Sequence, residues 1–172
     1  MKYILSAFIF CLINLNAYSQ KLAQMAFSDG STFSYFSFIV DQDILIRISD
    51  DGRLIEWGRE IQSLRSDFYA TKLEPYLGRV EYYEHESDSA IRGKVRSIGS
   101  ISITYYRSYE TETNVGKLRT IGSQLLDYYT SFENETIRGK LQFIGGFTLT
   151  YYPIYEDEGF RGKLKSLGST AI

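Results

Sequence analysis

Four Tyr-Tyr pairs, at 82/83, 105/106, 128/129 and 151/152, and four Gly-Lys pairs, at 93/94, 116/117, 139/140 and 162/163, dominate the chemistry this chain can offer. Tyr83, Tyr106, Tyr129 and Tyr152 fall on a polar face with Thr104 and Thr150 and beside Lys94, Lys117, Lys140 and Lys163. Regularly spaced phenol rings next to ammonium groups are a stacking track for a glycan or another extended polymer. The competing reading is structural, since tyrosines packed beside lysine stems shield the backbone of an uncovered sheet. A second set of groups is acidic: Glu110/Glu112, Glu133/Glu135 and Glu156/Glu158 recur in one phase. Such pairs suggest a calcium row or the two carboxylates of a glycosidase. No unit has the oxygen density of a calcium loop, however. Copies related by a repeat also have equivalent environments, which opposes one unique acid/base pair. Glu-x-Glu beside a turn reads more simply as solvated protection of a sheet edge.

What is scarce narrows the classes further. The 172 residues include one Cys and one His, so no Cys/His zinc site, disulfide framework or Cys-His catalytic pair can be built within one chain. His85, in Glu84-His85-Glu86, reads as an exposed turn residue. There is no Gly-x-Ser-x-Gly elbow and no phosphate-binding loop. The expectation is therefore no catalytic residues, no metal and no cofactor.

The elements that must position these groups follow from a constant period of 23 residues. The pairs Ile98-Gly99, Ile121-Gly122, Ile144-Gly145 and Leu167-Gly168 keep the same phase. Within a unit the period is two. Ile101, Ile103 and Tyr105 alternate with Ser102, Thr104 and Tyr106, and Val95, Leu118, Leu141 and Leu164 hold the apolar phase after each Gly-Lys. Each unit is thus two strands, broken at the Ile-Gly step and at the Glu-x-Glu stretch. By the same phase Tyr82, Tyr105, Tyr128 and Tyr151 read as structural, as do Tyr109, Phe132 and Tyr155.

The fold class is all-β, and two architectures share the pattern: an antiparallel β-hairpin meander or a parallel β-solenoid. Stacked coils would set Lys94, Lys117, Lys140 and Lys163 in one column at about 4.8 Å. In a meander they stand roughly 9.5 Å apart, and each stem can lie over a tyrosine ring. Charge therefore favours the meander, as a single long twisted sheet. Residues 20–49 form capping strands at one end, including Thr32 to Val40 and Ile44 to Ile48, with turn signals at Asp29-Gly30 and Asp50-Asp51-Gly52. Residues 50–172 form the β-repeat domain, with degenerate copies over 50–79, such as Gly52-Arg53-Leu54-Ile55-Glu56-Trp57-Gly58, and regular units over 80–170.

Residues 1–19 read as a signal peptide. Lys2 precedes an apolar run from Tyr3 to about Leu15, too short to span a bilayer, and Ala17 and Ser19 suit cleavage before Gln20. Phe10 before Cys11 argues against lipid attachment. The product is exported, to the periplasm, outer surface or medium, and it has no transmembrane segment. It keeps 18 basic against 21 acidic residues, a net charge near −3 that gives a nucleic-acid partner no support.

The unit resembles the MORN repeat, which shares the 23-residue period, begins with aromatic-x-Gly as in Phe160-Arg161-Gly162, and later reaches Thr-Tyr-Tyr as at 104–106 and 150–152. It lacks the second and third glycines of that repeat's turn. It is also similar to the Tyr-Asp (YD/RHS-like) repeats of large secreted shell-forming proteins, where an acidic turn leads into Gly-Arg-Leu, as in Asp50-Asp51-Gly52-Arg53-Leu54. It looks most like small exported Bacteroidota-type proteins built from Gly-Lys/Arg-Leu/Ile-x-x-Ile-Gly units. The resemblance implies a scaffold, a membrane-associated surface or a binding platform. The leading expectation is a non-enzymatic module of the cell envelope with a protein or glycan partner, its oligomeric state open. The alternatives are a glycan-binding or polysaccharide-active protein using the Tyr ladder, and an immunity-type repeat protein that neutralises a toxin.

Overall fold

The computed structural model describes residues 21–28, 32–40, 44–60 and 73–172, and every regular element among them is a β-strand. The export signal, with Cys11, lies outside the described residues. Strands β1 (Lys21–Ser28), β2 (Thr32–Val40), β3 (Ile44–Ile48), β4 (Leu54–Glu60) and β5 (Leu73–Pro75) pair in sequence order as one antiparallel sheet. A second antiparallel sheet has nine strands in sequence order: β6 (Val80–Tyr82), β7 (Val95–Ile98), β8 (Ile101–Tyr105), β9 (Leu118–Ile121), β10 (Gln124–Tyr128), β11 (Leu141–Ile144), β12 (Phe147–Tyr151), β13 (Leu164–Leu167) and β14 (Thr170–Ala171). The chain is the all-β hairpin meander that alternation and charge favoured.

It is not one continuous sheet. The ladder of the first sheet ends at Pro75, opposite Gly58, and residues 76–79 carry no strand. Proline has no amide to donate, so pairing stops there and resumes at Val80. The degenerate copy at Gly52 to Gly58 consequently lies in the five-stranded sheet, as the turn into β4 and its first strand residues.

Each unit of the nine-stranded sheet has a tight end and a wide end. At the tight end Ile98 pairs with Ile101 around a two-residue loop whose first position, Gly99, has φ 58°. At the wide end the Tyr83 amide donates to the Lys94 carbonyl and the Gly93 amide to the Tyr83 carbonyl, both at 2.9 Å. Between them the Arg92 amide reaches the Asp88 carbonyl at 3.0 Å, and the Asp88 carboxylate caps the Ala90 amide at 2.9 Å, a single helical turn. Asn134 repeats the arrangement, with the Arg138 amide at 3.0 Å and the Thr136 amide at 3.2 Å. Where each wide end rejoins the sheet, one residue is extra: Tyr105 pairs with Leu118 but Thr104 with Thr120, so Arg119 bulges.

One core joins the two sheets. Phe36, Phe38, Ile46 and Ile48 from the first and Ile98, Ile103, Leu118, Ile121, Leu126, Leu141 and Leu149 from the second are fully buried in a single cluster. Each such side chain contributes about 1.5–3 kcal/mol by leaving water. Residues 20–49 were expected to cap one end; the β3–β4 turn that follows them is seated at the heads of β9 and β11. The Leu118 amide donates to the Gly52 carbonyl at 3.2 Å and the Leu141 amide to the Asp50 carbonyl at 2.7 Å. Lys140 Nζ meets Asp50 Oδ2 at 2.8 Å. Two amides at buried strand heads need acceptors, and this turn supplies them.

Candidate functional site

The tyrosine and lysine rows are placed at the junctions between units. The hydroxyls of Tyr83, Tyr106 and Tyr129 donate to the carbonyls of Ile103 (3.0 Å), Leu126 (3.0 Å) and Leu149 (2.8 Å), each in the following unit. Their rings meet the next unit's buried tyrosine edge-on: Tyr83 with Tyr105 at 6.3 Å, Tyr106 with Tyr128 at 6.0 Å, Tyr129 with Tyr151 at 6.0 Å. The lysines do the same at the wide end. Lys94 Nζ donates to the Gly116 carbonyl, Lys117 Nζ to that of Gly139, and Lys140 Nζ to that of Gly162 at 2.7 Å. These ammonium groups sit over the rings of Tyr105, Tyr128 and Tyr151 at 5.0, 4.8 and 5.1 Å. Six of the eight residues singled out from the sequence thus bind one unit to the next. Of the other two, Tyr152 packs against Phe160 (5.3 Å between centroids), and the Lys163 amide donates to the Phe160 carbonyl at 2.9 Å.

Titration behaviour reflects these enclosures. Burial, with Asp127 beside it, pushes the Tyr106 hydroxyl up to about 12. Burial also raises the hydroxyls of Tyr105, Tyr128, Tyr129 and Tyr151 and lowers the amino groups of Lys94 and Lys117, the last opposed by Asp51 and Asp50. A buried neutral phenol resists giving up its proton to form an anion, and a desolvated ammonium holds its proton less well.

The acidic pairs line the wide ends. Glu110 holds Arg119 at 2.9 Å and accepts the Arg107 amide at 3.3 Å, while Glu112, Glu135 and Glu158 face solvent. Among the described residues no three His, Cys, Asp or Glu side chains group as a metal site. His85 is exposed, at a pocket of about 290 Å³ that it shares with Tyr82, Tyr83, Glu84, Glu86 and Arg96. A second cavity, of about 340 Å³, opens between the two sheets with Trp57, the only tryptophan, facing Lys94 and Tyr105.

The residues that phase alone misplaced are Tyr109, Phe132 and Tyr155. They were read as structural, yet they are 78%, 96% and 83% exposed. Alternation assigns a side to residues of a strand, and these three lie past the strand end, in the turn. Tyr82 is also 42% exposed, because β6 is the edge of its sheet and no earlier unit covers it. The signal that marks the three as surface was the acidic stretch that each one enters.

Contacts with the turn before it hold the Tyr109 turn in place, while Arg138 and Arg161 brace the Phe132 and Tyr155 turns from within by donating to the Glu133 and Glu156 carbonyls. The Ser108 amide donates to Asp88 Oδ2 at 3.1 Å and Arg107 meets Glu86 at 3.3 Å, each from one unit to the one before. Equivalent positions two strands apart recur at about 9.5 Å. The edge therefore presents three exposed aromatic rings, one in each of three consecutive units, with a glutamate next in sequence to each.

Fold and edge together define an all-β protein with two antiparallel sheets in a hairpin meander. No protein-family model matches the chain, and no curated protein or solved structure matches it either.

Proposed function

We propose that this chain is a non-enzymatic, exported β-repeat protein that serves as a binding or structural module of the cell envelope. One observation carries the reading. Three tyrosines and three lysines of the two rows are used in cross-bonding the units, whereas Tyr109, Phe132 and Tyr155 stand exposed at one phase on the wide turns. Loops on a rigid scaffold are where binding residues concentrate, and one exposed ring per unit offers a partner repeated equivalent contacts. Export is supported by the sequence of residues 1–19. No helix among the described residues is long and apolar enough to cross a membrane.

The test is expression of the full chain in a bacterial host, with mass spectrometry of the product and sedimentation with isolated envelopes. The expected product begins at Gln20 and sediments with the envelope. A Tyr109→Ser/Phe132→Ser/Tyr155→Ser variant keeps the same circular dichroism and melting temperature but stays in solution. An unprocessed cytoplasmic product, or a triple variant that sediments unchanged, overturns the proposal.

A further inference from the structure

We infer that the row Tyr109, Phe132, Tyr155 binds a neutral, extended β-1,4-linked polysaccharide, stacking on every second sugar ring; this rests on the binding-module reading and names its ligand class. The interval comes first. Two strand spacings, about 9.5 Å, separate equivalent turns, and one disaccharide of an extended β-1,4-linked chain covers a comparable length. Successive sugars in such a chain face opposite ways, so the same ring face returns once per disaccharide. A row of equivalent aromatic rings reads that face and no other.

Side-chain chemistry supports the same ligand. The row is Tyr, Phe, Tyr, so a hydroxyl is not the shared feature; the ring face is. Polar neighbours separate the rings: Ser108 and Glu110 flank Tyr109, Ser131 and Glu133 flank Phe132, and Tyr155 has Glu156 on one side and exposed Ile154 on the other. Single rings set among polar groups suit the C–H face of a sugar, whose rim carries hydroxyls, better than they suit a lipid surface or a protein core. The exposed carboxylates of Glu112, Glu135 and Glu158 accept hydroxyl hydrogens and repel anionic polymers and anionic headgroups. The contacts from Ser108 to Asp88 and Arg107 to Glu86 fix the Tyr109 turn before binding, and Arg138 and Arg161 brace the other two through the Glu133 and Glu156 carbonyls, which lowers the entropy lost on association. In the first unit the equivalent position is Glu86, so the track begins at Tyr109.

Calorimetric titration with cellohexaose and chitohexaose tests this, with maltohexaose and polygalacturonate as contrasts. Both β-1,4 hexaoses are expected to bind and the two contrasts to fail, the first by shape and the second by charge. Cellobiose, long enough for one ring only, is expected to bind far more weakly. Phe132→Ala, at the centre of the track, should cost about tenfold or more in affinity, and Phe132→Tyr should retain it. Two results separate this inference from the reading beneath it. If neither hexaose binds but envelope sedimentation still needs the three aromatics, the glycan ligand is wrong and the module stands. If neither hexaose binding nor sedimentation depends on them, both fall. Hexaose binding that survives Tyr109→Ala/Phe132→Ala/Tyr155→Ala also overturns the assignment.

Discussion

Replacing Gly52 by alanine, with Gly93→Ala as its control, tests how the two sheets are joined. Both glycines have positive φ, +79° at Gly52 and +76° at Gly93, so both substitutions force an L-residue into the left-handed region. That conformation costs roughly 1–2 kcal/mol, and the lower entropy of the unfolded chain returns about 0.4–1 kcal/mol. At Gly93 a new methyl meets nothing within 4 Å, so the net loss there should be about 1 kcal/mol. At Gly52 the same methyl would lie 2.5 Å from Tyr128 Cε1 and overlap its Cζ and hydroxyl.

Tyr128 cannot make room. It is 1% exposed, its hydroxyl donates to the Leu118 carbonyl at 2.6 Å, and Lys117 Nζ lies over its ring at 4.8 Å. The turn must withdraw instead. The amides of Leu118 and Leu141 then lose the Gly52 and Asp50 carbonyls, and Lys140 loses Asp50. At about 0.5–1.5 kcal/mol for each of these three, added to the backbone cost, Gly52→Ala should lose about 2.5–5.5 kcal/mol. Urea denaturation of both variants gives the difference, provided the slope m stays at its wild-type value. Hydrogen exchange should show the Leu118 and Leu141 amides losing protection in Gly52→Ala alone. Equal losses in the two variants, within about 0.5 kcal/mol, would mean that the β3–β4 turn is not seated on Tyr128.

Three further outcomes follow from the same geometry. Tyr128→Phe strands the Leu118 carbonyl and should cost about 1–2 kcal/mol, whereas the equivalent Tyr151 hydroxyl is buried without a hydrogen-bond partner among the described residues. Tyr151→Phe should therefore leave urea stability unchanged or raise it by up to about 1 kcal/mol. With pH, the hydroxyls of Tyr105, Tyr106, Tyr128, Tyr129 and Tyr151 are raised from 10.0 in the fold, so the stability they contribute is complete below pH 10 and lost above it. The lowered amino groups of Lys94 and Lys117 act in the opposite sense, relieving their burial cost as pH rises toward 10.5, so urea midpoints should climb slightly and then fall steeply above pH 10, together with tyrosinate absorbance. Finally, deleting residues 107–129 moves Leu141, Tyr151 and Lys163 into the phase of Leu118, Tyr128 and Lys140, and a shorter folded protein is expected; deleting 107–117 breaks the phase and should unfold the C-terminal half. Equal melting temperatures for the two deletions would refute the repeat.

The strands were legible because alternation reports directly on a two-sided sheet. Thr32–Val40 and Ile44–Ile48 were read at their observed limits, and the apolar phase at Val95, Leu118, Leu141 and Leu164 is buried throughout. The choice of a meander over a solenoid rested on the lysine column, and the structure shows the physical basis: each ammonium of Lys94, Lys117 and Lys140 takes a carbonyl and a ring from the next unit. The division into two sheets was not legible. Asp50-Asp51-Gly52 was recognisable as a turn, but its place was not, because its partners are distant in sequence; Lys140 and Asp50 are 90 residues apart. Local pattern fixes an element's own faces, whereas docking depends on which buried amides lack acceptors elsewhere.

The exposure of Tyr109, Phe132 and Tyr155 was not legible for a related reason, and this bears on function. A 23-residue period marks Tyr83 and Tyr109 as equally regular, so regularity could not tell a scaffold residue from a binding one. What separates them is the end of the strand. Tyr83, just past β6, reaches the Ile103 carbonyl because the next hairpin lies at hydrogen-bond distance. Tyr109 lies beyond the point where the chain leaves the sheet, and the next unit's equivalent, Phe132, is uncovered as well. A hydroxyl at the Tyr83 position gains a bond to the next unit at Tyr83, Tyr106 and Tyr129, a folding reason for tyrosine to recur there. At the Tyr109 position, phenylalanine replaces tyrosine in one unit and glutamate in another. A position on which folding places so little demand keeps its aromatic ring in three consecutive units, and a ligand that needs only the ring accounts for that where the scaffold does not.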